Sequence, residues 1–99
     1  MVAQLLVLLA LVGACETAPP VQEMSDARQA IAVAKEAGAA ENAAIHLKAA
    51  EIYLQNAEKR LSERQYSQAR RDAKQAKIKA LDALRATESS SEAAEDDGA

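Results

Sequence analysis

Apolar residues fall along the chain in one solid block and three periodic stretches. The block, Leu5 to Ala14, is ten residues without a charge. The first periodic stretch sets Ala27, Ala30, Ile31, Ala34 and Ala37 on one helical face. Ser25 precedes it as an N-cap, and Asp26 follows in the first turn, where the helix dipole favours an acid. Gly38 is a stop signal. The expectation is a helix over residues 25–37.

The second stretch has the clearest pattern. Leu47, Ala50, Leu54, Ala57 and Leu61 alternate steps of three and four, which is a heptad seam. Ile45, Ala49 and Ile52 form another stripe nearly opposite. A helix apolar on two sides has neighbours on both, so this helix is expected between the other two. In the third stretch Tyr66, Ala69, Ala73, Ala76, Ala80 and Ala83 repeat the stepping with smaller side chains, and Leu84 joins that face. Leucine opposite alanine is large-to-small packing that lets two backbones approach closely.

Nothing between Leu61 and Tyr66 is Gly or Pro, so a single long helix competes with a hairpin. Phase decides between them. Extending the first seam past Leu61 turns Arg64, Gln68, Arg71 and Gln75 inward. The seam instead restarts five residues on, at Tyr66, a rotation of about 140° at about 100° per residue. A turn at residues 62–65 restores a common core. The fold expected is all-α: a small three-helix bundle built on an antiparallel hairpin, residues 43–62 and 66–87, with a shorter N-terminal helix. The segment Leu61-Ser-Glu-Arg-Gln-Tyr66-Ser-Gln-Ala69 resembles the inter-helix turn of tetratricopeptide repeats, but a solenoid needs about three such units and there is one.

Composition sharpens this picture. Alanine dominates, Trp and Phe are absent, and Tyr53 and Tyr66 are the only aromatics. Alanine favours helix but buries little area, so the core is expected to be thin. The formal charge of −3 conceals an asymmetry. All 12 Lys and Arg lie between Met24 and Thr87, against eight acids there (Asp26, Glu36, Glu41, Glu51, Glu58, Glu63, Asp72 and Asp82). Residues 88–99 hold Glu88, Glu92, Glu95, Asp96 and Asp97 and no base. They lack periodicity and are expected to be a disordered acidic tail.

The apolar block ends in Leu11-Val12-Gly13-Ala14-Cys15. This resembles a bacterial lipobox: an apolar residue, two small ones, then the cysteine that receives lipid. The block matches a signal-peptide apolar region and is too short to span a bilayer. It departs from the usual leader in having no Lys or Arg before it. A buried N-terminal helix is the alternative, but a domain this small has no use for so uniform a segment. The expected layout is a signal peptide at residues 1–14, cleavage between Ala14 and Cys15, and lipid on Cys15. A Pro-containing tether follows at residues 15–24, then the helical domain at 25–87. Lipidation also accounts for the single cysteine, which excludes an internal disulfide. Glu16 follows the cysteine where an Asp would favour inner-membrane retention, so the expectation leans to the outer membrane, facing the periplasm.

Chemistry is sparse in the body. His46 is the only histidine, and Ala50 occupies its i+4 position, so no metal pair forms. No Gly-rich phosphate loop or nucleophile–base pairing is present. Neither catalysis nor a cofactor is expected. The one functional-looking feature is basic: Arg60, Arg64, Arg70, Lys74 and Lys77, with Lys59, Arg71 and Lys79 beside them. It is either a solvated face or a patch for anionic envelope material such as lipid headgroups, lipopolysaccharide or cell wall. Nucleic acid is a poor partner for an exported protein, and no aromatic stacking residues lie beside the basic ones.

The body from Ser25-Asp-Ala-Arg-Gln-Ala-Ile-Ala-Val-Ala-Lys-Glu-Ala-Gly-Ala-Ala-Glu-Asn-Ala to Tyr66-Ser-Gln-Ala-Arg-Arg-Asp-Ala resembles a domain-of-unknown-function family of short, Ala-rich, helical bacterial envelope proteins. Many of its members are lipoproteins, and some precede an OmpA-like peptidoglycan-binding domain. The likeness covers residues 25–85 and is most specific at Ala37-Gly-Ala-Ala-Glu41. It implies a fold and a location but no activity, and this chain carries no peptidoglycan-binding domain. The function expected is that of a lipid-anchored envelope protein with a structural or interaction role. Its partners are the membrane through the lipid and either an envelope protein or a second copy, with Ile78 a candidate contact.

Overall fold

The computed structural model describes residues 18–97. The expected leader, the cleavage site and Cys15 lie outside the described residues. Four helices follow one another: α1, Val21–Glu36; α2, Ala39–Asn42; α3, Ala44–Ser62; and α4, Tyr66–Asp97. Among the described residues there is no strand.

Helix α1 starts four residues before the expected Ser25. Pro20 stands at the N-cap position, its φ of −80° already near the helical value. Its carbonyl accepts from the Met24 N–H at 3.0 Å, and its own ring is buried. Ser25 is exposed inside the helix and caps nothing. The prolines, expected within a tether, instead stand where the helix begins, a position that favours proline. Gly38 ends α1 at φ +97°, a left-handed conformation that favours glycine. The single turn α2 hangs on it: the Asn42 side-chain amide donates to the Gly38 carbonyl at 3.1 Å. Ala39 is fully buried beneath that turn.

The break between α3 and α4 falls where phase requires it. The Gln65 N–H donates to the Arg60 carbonyl at 2.8 Å, and the Arg64 N–H to the Leu61 carbonyl at 3.0 Å. This is the paired Schellman closure of a helix C-terminus. Its left-handed position is held by Arg64 at φ +62°, where glycine is commonest. That substitution is why no turn residue marks the hairpin in the sequence. The Ser62 hydroxyl adds a bond to the Lys59 carbonyl at 2.6 Å.

The helices run up, down and up. Arg28 pairs with Glu58 and Lys35 with Glu51, so α1 is antiparallel to α3. Glu23 pairs with Arg70 and Asp26 with Lys77, so α1 is parallel to α4. Apart from Pro20, Met24, Ile31 and Leu47, every buried apolar residue among the described ones is alanine. One cluster joins Ile31, Ala34, Leu47, Ala50, Ala80 and Ala83 across the three helices, with Leu54 and Leu84 half-buried against it. A second joins Met24, Ala57 and Ala73 near the hairpin turn. At about 0.8 kcal/mol per buried methyl-sized group, alanine yields little from each position, so the bundle depends on many close contacts.

Two expectations are corrected by this arrangement. The middle helix is α4, which packs most extensively against both α1 and α3, while α1 and α3 meet only along a narrow line. The small side chains of α4 admit a helix on each flank. Among the described residues no helix covers the second stripe of α3: Ile45 is 85% and Ile52 46% exposed. The C-terminal stretch is also helical through Asp97 rather than irregular. Residues 88–93 are exposed, so packing does not support that part of the extension. Local propensity accounts for it: no Gly or Pro interrupts the sequence before Gly98. Thr87 is buried, its hydroxyl donating to the Ala83 carbonyl at 2.8 Å.

Candidate functional site

The seam residues lie along the hairpin interior. Leu47, Ala50 and Ala57 of α3 are buried, while Leu54 and Leu61 are half-covered. On α4, Ala69, Ala73, Ala76, Ala80 and Ala83 are all at 0% exposure, and Tyr66 is half-buried where the helix begins. Their role is packing.

The basic residues separate into two groups. One group turns toward α1 and is neutralised there. The Arg70 Nε donates to the Glu23 Oε1 at 3.1 Å, and its Nη2 donates to the Ala18 carbonyl at 3.0 Å. Lys77 lies 4.0 Å from Asp26. These two share a shallow seam with the N-terminal half of α1, where Gln29 and Ala30 also line a small open depression. Arg60 is engaged within the turn, with Glu63 at 3.8 Å and the Gln65 side-chain oxygen at 3.0 Å. The other group stays exposed. Arg64 and Lys74, and beside them Lys59 and Arg71, face solvent and make no ion pair among the described residues. The five-residue patch of Arg60, Arg64, Arg70, Lys74 and Lys77 is therefore not one free surface.

The reason lies in α1. Its acids Glu23 and Asp26 face Arg70 and Lys77, which are one heptad apart on α4. On α4 alone Arg70, Lys74 and Lys77 form a cationic face; against α1, Arg70 and Lys77 are paired and Lys74 is not. The spacing of Glu23 and Asp26 is a signal for this, once the first helix is known to start at Val21. The same contacts change the tether. Ala18 to Glu23 is held against α4, so the chain is docked on the bundle from residue 18.

His46 is exposed on α3. Among the described residues, no three His, Cys, Asp or Glu side chains gather as a metal site, and no helix is long and apolar enough to cross a membrane. Comparison of the chain with protein-family models, curated proteins and solved structures found no match in any of the three.

Proposed function

We propose that this is a lipid-anchored protein of the bacterial cell envelope that acts through structure or protein contact rather than catalysis. One observation carries the reading. The apolar run from Leu5 ends in Leu11-Val12-Gly13-Ala14-Cys15, and the docked part of the chain begins three residues later, at Ala18. A leader that ends at such a cysteine, with a folded helical body just beyond it, fits a lipid anchor that carries the bundle. Two or three acyl chains at Cys15 would give lasting attachment, since one chain binds a bilayer only reversibly. The body suits a scaffold: a thin alanine core, a charged rim and an unpartnered stripe at Ile45 and Ile52. The likeness of residues 25–85 to Ala-rich envelope lipoproteins points the same way. On this reading the bundle faces the periplasm, with Glu16 after the cysteine favouring the outer membrane.

The test is metabolic labelling with a radioactive fatty acid, comparing the wild type with Cys15→Ala. Label on the wild type that vanishes in the variant is the expected result. An unlabelled wild type would overturn both the anchor and the location.

A further inference from the structure

The docking of residues 18–23 fixes which end of the bundle lies nearest Cys15. Arg70 clamps the Ala18 carbonyl and Glu23 to the first turns of α4. Met24 packs with Ala57 and Ala73, the residues nearest the hairpin turn among the core clusters. The chain therefore comes in beside the turn formed by residues 63–65, at the end where α1 and α4 begin and α3 stops. Only Glu16 and Thr17 separate Cys15 from Ala18, three peptide steps that span at most about 11 Å of extended chain.

We propose that this end of the bundle is a docking surface for anionic phospholipid headgroups, with Lys59, Arg64 and Arg71 as its contact cations. The proposal rests on the lipid-anchor reading and adds to it the orientation of the body and the chemistry of the contact. Lys59 lies one turn before the end of α3, Arg64 stands in the turn, and Arg71 follows within two turns of the start of α4. All three are exposed and make no ion pair among the described residues. Three acids of this end are engaged, Glu23 by Arg70, Glu58 by Arg28 and Glu63 by Arg60, while the part-buried Asp72 makes no ion pair among the described residues and offsets one of the cations. The N-termini of α1 and α4 add the positive ends of two helix dipoles, against the one negative end of α3. Val21, 71% exposed, and the half-buried Tyr66 supply apolar and amphipathic groups at the same end. The opposite end has the reverse character. There α4 runs on through Glu88 and Glu92 to Glu95, Asp96 and Asp97. The molecule is thus polarised along its axis.

Distances make the contact hard to avoid once the lipid is inserted. The headgroup layer on each side of a bilayer is roughly 5–8 Å thick. Electrostatic attraction persists over a Debye length of about 8 Å at physiological salt. A link of at most about 11 Å keeps Ala18, where the docked chain begins, close to that layer. Were the residues before Glu23 a free spacer, the body could float clear; Arg70 removes that slack.

The experiment uses the chain from residue 15 to 99 with Cys15→Ser, which contains every described element. Its sedimentation with vesicles of equal phosphatidylglycerol and phosphatidylcholine is compared with pure phosphatidylcholine. The triple variant Lys59→Gln, Arg64→Gln, Arg71→Gln is set against a control of equal charge change, Lys48→Gln, Lys79→Gln, Arg85→Gln. With each cation near an anionic surface contributing about fivefold, the turn variant is expected to lose on the order of a hundredfold in partitioning. The control is expected to lose less than about threefold. Equal losses in the two variants, or equal binding to both vesicle types, would overturn the proposal. Circular dichroism of both variants separates lost binding from lost folding. Fatty-acid labelling of Cys15 reports the anchor independently, so failure of the anchor and failure of the surface give different results.

Discussion

Replacing Ala73 with leucine tests whether the alanine core is closely packed. Ala73 is at 0% exposure and touches Met24 of α1 and Ala57 of α3, so it sits where all three helices converge. Two effects oppose each other. Three added carbons buried at about 0.8 kcal/mol each offer roughly 2.4 kcal/mol of transfer free energy. They are realised only if the cavity exists. Here both neighbours are already in contact, so the leucine must displace α1 or α3 and open gaps along a seam of alanines. Dispersion falls steeply with such gaps, and overpacking of this kind costs about 1–3 kcal/mol net. A body of this size has a total stability of only about 3–10 kcal/mol. With a urea slope of about 1 kcal/mol per molar, the midpoint by circular dichroism should fall by about 1–3 M. Met24→Ala combined with Ala73→Leu supplies the missing space, so the double variant should be more stable than the sum of the singles by at least about 1 kcal/mol. An unchanged or raised midpoint in Ala73→Leu, or strict additivity in the pair, would falsify the close three-helix junction.

Three further outcomes follow from the geometry. Arg64→Gly should raise stability by about 0.5–1 kcal/mol in the same urea titration, because it relieves a left-handed arginine at φ +62°; a loss would mean that the Schellman closure is not the source of the turn. Arg70→Ala should cost about 1 kcal/mol, since the pair with Glu23 is partly shielded, with side chains 27% and 28% exposed. It should also speed amide exchange at Val21 to Met24 ahead of the rest of α1, and uniform exchange along α1 would reject the pin. Truncation after Thr87 should leave the urea midpoint within about 0.5 kcal/mol of the full chain, while far-UV ellipticity drops with the lost helix. A large fall in stability would show that residues 88–97 pack on something.

The hairpin was legible because it follows from local rules. The step pattern of Leu47 to Leu61 and of Tyr66 to Ala83 states which side of each helix is apolar, and the five-residue gap breaks the phase. No turn residue announced the break, since Arg64 occupies the position glycine usually holds. The basic patch was legible only as a run of cations. Whether a cation is free depends on the acid across from it, and Glu23 and Asp26 lie 47 and 51 positions from Arg70 and Lys77 in the chain.

The sequence by itself therefore determined that this chain makes amphipathic helices, where the hairpin folds, and that an apolar leader-like run precedes Cys15. Tertiary structure decided which helix lies in the middle, that α1 begins at Pro20 and Val21, and which cations remain exposed. The reason is that periodicity fixes the buried face of a helix but not the neighbour that covers it. An apolar stripe such as Ile45–Ala49–Ile52 carries the same signal whether or not a helix lies upon it. The contest between stripes is settled by approach distance. The alanines of α4 allow two helices to come close, and the four ion pairs along α1 set the side on which it lands.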